Sequence, residues 1–264
     1  MSRQDNIDTF FRNGKTVILP IDHGVAIPVP GLANPMEMIE KTHPFVDGYV
    51  MNLGLALRFT EETLGKGICL RTDVYNTRLT GDGAGSTACF GIEEAEMIGA
   101  HAVMNMLYPG AENERISLQE CAALISMSLD SEVPVIVEAL PVGLGQPEHY
   151  TVEKIKFAVR LASELGADVV KTPYPVDATP ETFQSIVEQS LAPVIILGGA
   201  ALDDDAALLK MVEDAMTGGA SGVAIGRNVW QHPNPAAIAR SMQAVVHKDA
   251  SALEALALMK EPVR

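Results

Sequence analysis

The stretch Ala167-Asp168-Val169-Val170-Lys171-Thr172-Pro173 decides the fold. It is short and strongly apolar, and its core, Asp168–Thr172, reads as a buried strand. An amphipathic segment precedes it at Val152–Leu165, and another follows at Pro180–Glu188. A strand between two helices is the repeating piece of a parallel βαβ chain. Outward from it, comparable β-branched runs stand at Thr16–Ile21, Gly48–Leu53, Gly67–Thr72, Ala102–Leu107, Pro134–Ala139, Val194–Leu197 and Gly222–Ile225. Helix-like stretches separate most of them, the clearest being Ile92–Gly99, Ser117–Leu129 and Asp203–Thr217. Eight such units without a long linker predict an α/β fold, a closed (β/α)8 TIM barrel with Asp168–Thr172 as the sixth strand. No Pro- or Ser-rich seam divides the chain, so residues 1–264 are expected to form a single barrel domain. The C-terminal helices, Pro235–His247 and Ala250–Met259, are expected to pack outside it.

Bulk properties agree with that reading. The 264 residues match the usual barrel length of about 250, and a composition 47% hydrophobic and 20% charged is that of an ordinary globular chain. No apolar run is as long as the ~20 residues of a membrane span, and Met1–Asn13 lacks the apolar stretch of a signal peptide. A cytoplasmic protein is therefore expected. The net charge of −15 gives no general attraction for nucleic acid or anionic membrane, so neither is expected as a partner. Cys69, Cys89 and Cys121 have no metal-type spacing and are read as reduced thiols.

Lys171 carries the strongest functional signal. An ammonium at the end of a buried strand is costly, a neutral amine is less so, and a neutral amine is a nucleophile. Burial and a nearby cation, such as Arg71 on the third strand, would favour that form. The plain alternative is a surface lysine at a strand end. Asp22, with His23 beside it at the end of the first strand, is either an orienting acid/base near the lysine or a turn-forming residue before Gly24. His23 is either a substrate contact or a loop histidine. Glu138 interrupts the apolar run Val135-Ile136-Val137-Glu138-Ala139-Leu140-Pro141. A carboxylate there faces a polar site or forms a structural salt bridge. Gly198-Gly199 after strand 7 and Gly226-Arg227 after strand 8 stand where such barrels hold phosphate, with glycine admitting the anion and arginine adding a fork of donors. Tyr108 and Tyr174 could reach the mouth or pack at its rim. The Gly81–Ser86 stretch does not follow the dinucleotide fingerprint and reads as a mobile loop. No cofactor and no metal are expected, since no ligand cluster appears.

The motifs Asp22-His23-Gly24, Tyr108-Pro109-Gly110, Val170-Lys171-Thr172, Gly198-Gly199, Gly226-Arg227-Asn228 and Gln243-Ala244-Val245-Val246-His247 occur in the order and at the spacing of a known family. The chain resembles the archaeal-type class I fructose-bisphosphate aldolases and their relatives, 2-amino-3,7-dideoxy-threo-hept-6-ulosonate synthase and autoinducer-2 phosphate thiolase. The resemblance implies that Lys171 forms a Schiff base, that Asp22 assists, and that Gly198, Gly199, Gly226 and Arg227 hold the phosphate. It also implies a homo-oligomer, a pentamer or decamer.

Strand 5 departs from the pattern. The aldolases resemble Trp-x-Tyr-Pro-Arg-Gly there, with the tyrosine as proton carrier, whereas this chain has Glu138-Ala139-Leu140-Pro141-Val142-Gly143. Leu140 cannot move a proton, and Val142 removes an anion contact. The expectation is a metal-independent class I aldolase acting on a phosphorylated ketose or related phosphosugar other than fructose 1,6-bisphosphate. Glu138 would transfer protons, and Arg71 and Tyr108 would contact substrate. A thiolase or acyltransferase acting on a phosphorylated dione is the alternative. A non-catalytic barrel serving as a binding or assembly subunit is the third reading.

Overall fold

A computed structural model describes residues 1–75, 85–200, 202 and 204–262. Eight parallel strands close into a barrel: β1 (Thr16–Pro20), β2 (Gly48–Met51), β3 (Gly67–Arg71), β4 (Ala102–Leu107), β5 (Val135–Ala139), β6 (Val169–Pro173), β7 (Val194–Leu197) and β8 (Gly222–Ala224). Neighbours in sequence are neighbours in the wall, and β8 pairs with β1 to complete the ring. This is the TIM barrel expected from the recurrence of apolar runs. Helices Pro35–Thr42, Leu53–Arg58, Ile92–Met97, Glu114–Ser128, Val152–Leu165, Pro180–Val187 and Asp205–Thr217 follow the first seven strands. Both C-terminal helices pack outside the strands. Pro235–Lys248 lies against β1 as the eighth outer helix, and Ala252–Leu258 packs on it and on Asp205–Thr217.

Strand alternation sorts the side chains into two sets. Val17, Leu19, Tyr49, Leu70, Val103, Val135, Val137, Val170, Val194, Ile196 and Val223 face the helices. Ile18, Val50, Cys69, Ala102, Met104, Ile136, Val169, Ile195 and Ala224 fill the lumen, so that every strand contributes to the inner layer. Side chains, and not a pore, therefore occupy the barrel interior.

A helix that the apolar periodicity did not signal, Arg3–Phe10, seals the N-terminal end. Ser2 and Asp5 form its capping box. Its side chain Phe10 enters the inner layer, and a Cβ at Gly67 or Gly48 would lie 2.5 or 2.6 Å from the Phe10 ring. Arg3 fixes the helix by donating to both carboxylate oxygens of Asp168, at 2.8 and 2.6 Å. Beyond β3 the chain forms a small antiparallel pair, Asp73–Tyr75 with Ser86–Ala88. Most of the glycine-rich stretch read as a mobile loop, residues 81–84, lies outside the described residues. Among the described residues no helix is long and apolar enough to cross a membrane.

Candidate active site

The inner layer becomes polar at its C-terminal edge. Two residues beyond Cys69, Ile136 and Val169 come Arg71, Glu138 and Lys171, which alternation returns to the lumen. Lys171 and Glu138 are direct partners in the β5–β6 register. Their side chains meet at 3.0 Å, Nζ to Oε1. Lys171 is 4% exposed, and the Sδ of Met104 lies beneath its Nζ at 3.9 Å.

One continuous chain of contacts spans the mouth. The other oxygen of Glu138, Oε2, accepts from Arg71 Nη2 at 2.6 Å. Arg71 Nε donates to Asp22 Oδ2 at 2.8 Å. Asp22 Oδ1 lies 3.2 Å from His23 Nδ1, and the His23 ring packs edge-on against Trp230 with centroids 5.4 Å apart. Asn52 holds this corner by donating to the Asp22 carbonyl at 2.5 Å. Lys171, Glu138, Arg71, Asp22 and His23, from β6, β5, β3 and the turn after β1, are thus brought together.

The network holds its two bridging carboxylates ionised. Burial pushes the pKa of Asp22 up, but Arg71 foremost, then His23 and Lys171, outweigh it and hold the carboxyl well below its ordinary value. Burial likewise opposes the charge on Glu138, and Lys171 and Arg71 overcome it, so its pKa is also lowered. Arg71 is held firmly charged: burial works against the cation, and Glu138, Asp73 and Asp22 outweigh it.

The loops after β7 and β8 abut this network. A Cβ at Gly226 would lie 2.6 Å from the Pro20 carbonyl oxygen and 3.1 Å from the His23 ring, so only glycine fits between the ends of β8 and β1. Gly199 adopts φ +63°, a left-handed turn that suits glycine. Asn228 ties the two loops together. Its Nδ2 donates to the carbonyls of Gly198 at 3.0 Å and Ala200 at 3.2 Å, and its Oδ1 accepts from the Leu202 amide at 2.7 Å. Arg227, half-buried, begins the short helix Arg227–Trp230.

This arrangement suits a buried lysine nucleophile with a carboxylate in contact and glycine loops alongside. The model of the DeoC/LacD family aldolases matches residues 16–232, most of the chain. The chain belongs to this aldolase family. It is 34% identical to the 2-amino-3,7-dideoxy-D-threo-hept-6-ulosonate synthase of Halobacterium salinarum, over 92% of this chain and 91% of that one. It is 30% identical to the class 1 fructose-bisphosphate aldolase of Thermoproteus tenax, over 90% and 92% of the two chains. The crystal structure of an archaeal fructose 1,6-bisphosphate aldolase superposes with a TM-score of 0.84 at 29% identity, covering 94% of this chain and all of that one. A Schiff base-forming fructose-1,6-bisphosphate aldolase superposes with a TM-score of 0.81, also at 29% identity, over 93% of this chain and 100% of that one.

Arg71 and Tyr108 are placed differently from their reading as substrate contacts, whereas Tyr174 packs at the rim, one of the two places expected for it. Arg71, read as a cation beside Lys171 and as a substrate contact, has Glu138 interposed between it and the lysine. Its guanidinium is 3% exposed and turned to carboxylates. Tyr108, also read as a substrate contact, is buried under the mouth and donates its hydroxyl to Met106 Sδ at 2.5 Å. Tyr174 turns outward and stacks on Phe183, ring centroids 5.0 Å apart.

The sequence reading missed Asn52, Met104 and Asp73. Asp73 had a legible signal, since it alternates with Arg71 in an extended run. Asn228 was quoted in its motif but given no task. Met104 looks like any core residue, and only closure of the barrel sets it under Lys171.

Proposed function

We propose that this protein is a class I aldolase that forms a Schiff base through Lys171, acts on a singly phosphorylated ketose or related phosphosugar, and uses Glu138 as its proton carrier. The observation that carries this reading is the 3.0 Å contact between Lys171 Nζ and Glu138 Oε1 in a buried site. Glu138 accepts a proton from the ammonium, and the free amine attacks the substrate ketone. The proton returns to the carbinolamine hydroxyl, which leaves as water, and an iminium forms. The iminium draws electrons from the neighbouring carbon–carbon bond, which breaks to an enamine. Asp22, its Oδ1 turned toward His23, takes the hydroxyl proton of the departing aldehyde. The enamine is then protonated and hydrolysed. The iminium is the electron sink, so the scheme requires no metal.

The phosphate is assigned to Gly198, Gly199, Gly226 and Arg227. A single phosphate is favoured because the opposite side of the mouth is acidic. Asp73 and Glu138 stand there around Arg71, and Val142 occupies the loop after β5. A second phosphate dianion at that side would meet carboxylates first. A homo-oligomeric ring, carried by the resemblance, is read by analytical ultracentrifugation.

Borohydride trapping with a panel of phosphoketoses, run in EDTA, tests the proposal. The expected result is a mass adduct on Lys171 with at least one monophosphate. No adduct with any ketone would overturn it, and turnover that requires coenzyme A would replace it with the thiolase reading. Glu138→Gln should leave end-point trapping intact and lower kcat by roughly 10²–10⁴-fold. Wild-type turnover in that variant would remove Glu138 from its role.

A further inference from the structure

Arg71 has three nitrogens, and each is turned to a different carboxylate. Nε meets Asp22 at 2.8 Å, Nη2 meets Glu138 at 2.6 Å, and Nη1 faces Asp73 Oδ1 at 3.5 Å. Asp73 is 1% exposed and belongs to neither the lysine pair nor the phosphate loops. It sits on the strand Asp73–Tyr75, on the face that Arg71 occupies two residues earlier. Its Oδ2 accepts from the Met106 amide at 3.1 Å, and Met106 is the residue opposite Glu138 in the β4–β5 register. Asp73 is therefore fixed to the same piece of wall that carries Glu138.

We infer that Asp73 is a positioning residue for the reaction: it sets the plane of the Arg71 guanidinium and, by sharing that cation, sets how readily Glu138 takes up a proton. The inference rests on the reading of Glu138 as proton carrier. A guanidinium is a rigid planar fork, so orienting one nitrogen orients the other two. With Nη1 turned to Asp73, Nε and Nη2 can serve Asp22 and Glu138 together. The charge argument runs in parallel. A cation divided among three anions exerts less positive potential on each. If Asp73 loses its charge, Arg71 acts more strongly on Glu138, and Glu138 becomes a weaker base.

Burial raises the pKa of Asp73 despite Arg71, whereas Asp22 and Glu138 are lowered. Among the described residues, the groups around Asp73 are Arg71 from β3, Glu138 from β5, Tyr108 beyond β4, Cys121 from the helix Glu114–Ser128, and Ser86 from the paired strand. Burial pushes the Tyr108 phenol up and the Cys121 thiol up to about 12, so both stay neutral while Asp73 titrates.

Asp73→Asn tests this, because it keeps the shape and an acceptor for the Met106 amide while removing the charge. Expected are KM within about twofold, kcat lower by about tenfold, intact end-point trapping of Lys171, and an acid limb of the kcat profile moved to lower pH. Asp73→Glu, which restores the charge, should return the limb toward its wild-type position. A wild-type kcat in Asp73→Asn, or a lowered kcat with an unmoved limb, would overturn the inference. Should Asp73→Asn fail to fold by circular dichroism, Asp73→Ser reads the same limb, with the same two outcomes deciding. If Glu138→Gln turns over normally, the reading beneath falls. If Glu138→Gln is inactive and Asp73→Asn is wild type, only the positioning role falls.

Discussion

At the scale of single residues, the site is a set of buried charges that depend on one another. Glu138 touches both Lys171 and Arg71, so removing it strands the Lys171 cation and leaves Arg71 to Asp22 and Asp73. Glu138→Leu should therefore destabilise the fold by about 3–5 kcal/mol, the cost of leaving a buried charge unpaired. Urea melts would show this, and Lys171→Met in the same chain should recover part of it. The pH dependence has a definite sign. Asp22 and Glu138 have pKa values lowered from 3.8 and 4.5, so their contribution to stability is present above those values and is lost as pH falls below them. Asp73 is raised, so its protonation favours the folded state and partly offsets that loss. Lys171 and Glu138 were legible because a charge in an apolar run announces itself. Their contact was not, because register between strands 33 residues apart is a property of the closed barrel. Arg71 gave no comparable signal of its three carboxylates, which come from the turn after β1, from the strand after β3 and from β5.

At the scale of elements, the strands were readable because they are buried almost throughout on both faces and mostly apolar. Short and polar elements were not. Arg3–Phe10 is largely polar and commits one large side chain, Phe10, to the lumen, so it has no apolar stripe. Its capping residues Ser2 and Asp5 were the available signal. The hairpin strands Asp73–Tyr75 and Ser86–Ala88 are too short to show a period. The N-terminal plug makes a specific prediction. Gly67→Ala places a methyl 2.5 Å from the Phe10 ring, which should cost about 1–3 kcal/mol by overpacking. Combining it with Phe10→Leu should cost less than the two changes summed. Additive thermal shifts would show that the contact does not govern this end of the barrel.

At the scale of the whole molecule, the −15 charge and the buried network act at different ranges. The surface charge repels itself, and salt screens it, while the site charges are out of reach of counterions. Raising NaCl from about 10 to about 200 mM should therefore raise the thermal midpoint with little change in the pH profile of kcat. A midpoint that falls with salt would mean that surface ion pairs outweigh the repulsion. The ring is also tied shut away from the mouth. Asp47, 3% exposed, accepts from the Val17 amide at 2.8 Å and from His247 at 2.7 Å, and Arg12 pairs with its other oxygen at 2.8 Å. Residues from the first turn of the chain to its last long helix meet on one carboxylate.

The seat of the N-terminal helix has a bearing on how the chain is made. Phe10 needs Gly48 and Gly67 beneath it and Ile136 and Val169 around it, and Arg3 needs Asp168. A ribosome delivers the helix first and those partners much later. Residues 3–10 therefore wait, undocked, until residues 168 and 169 have emerged, and are among the last to find their place.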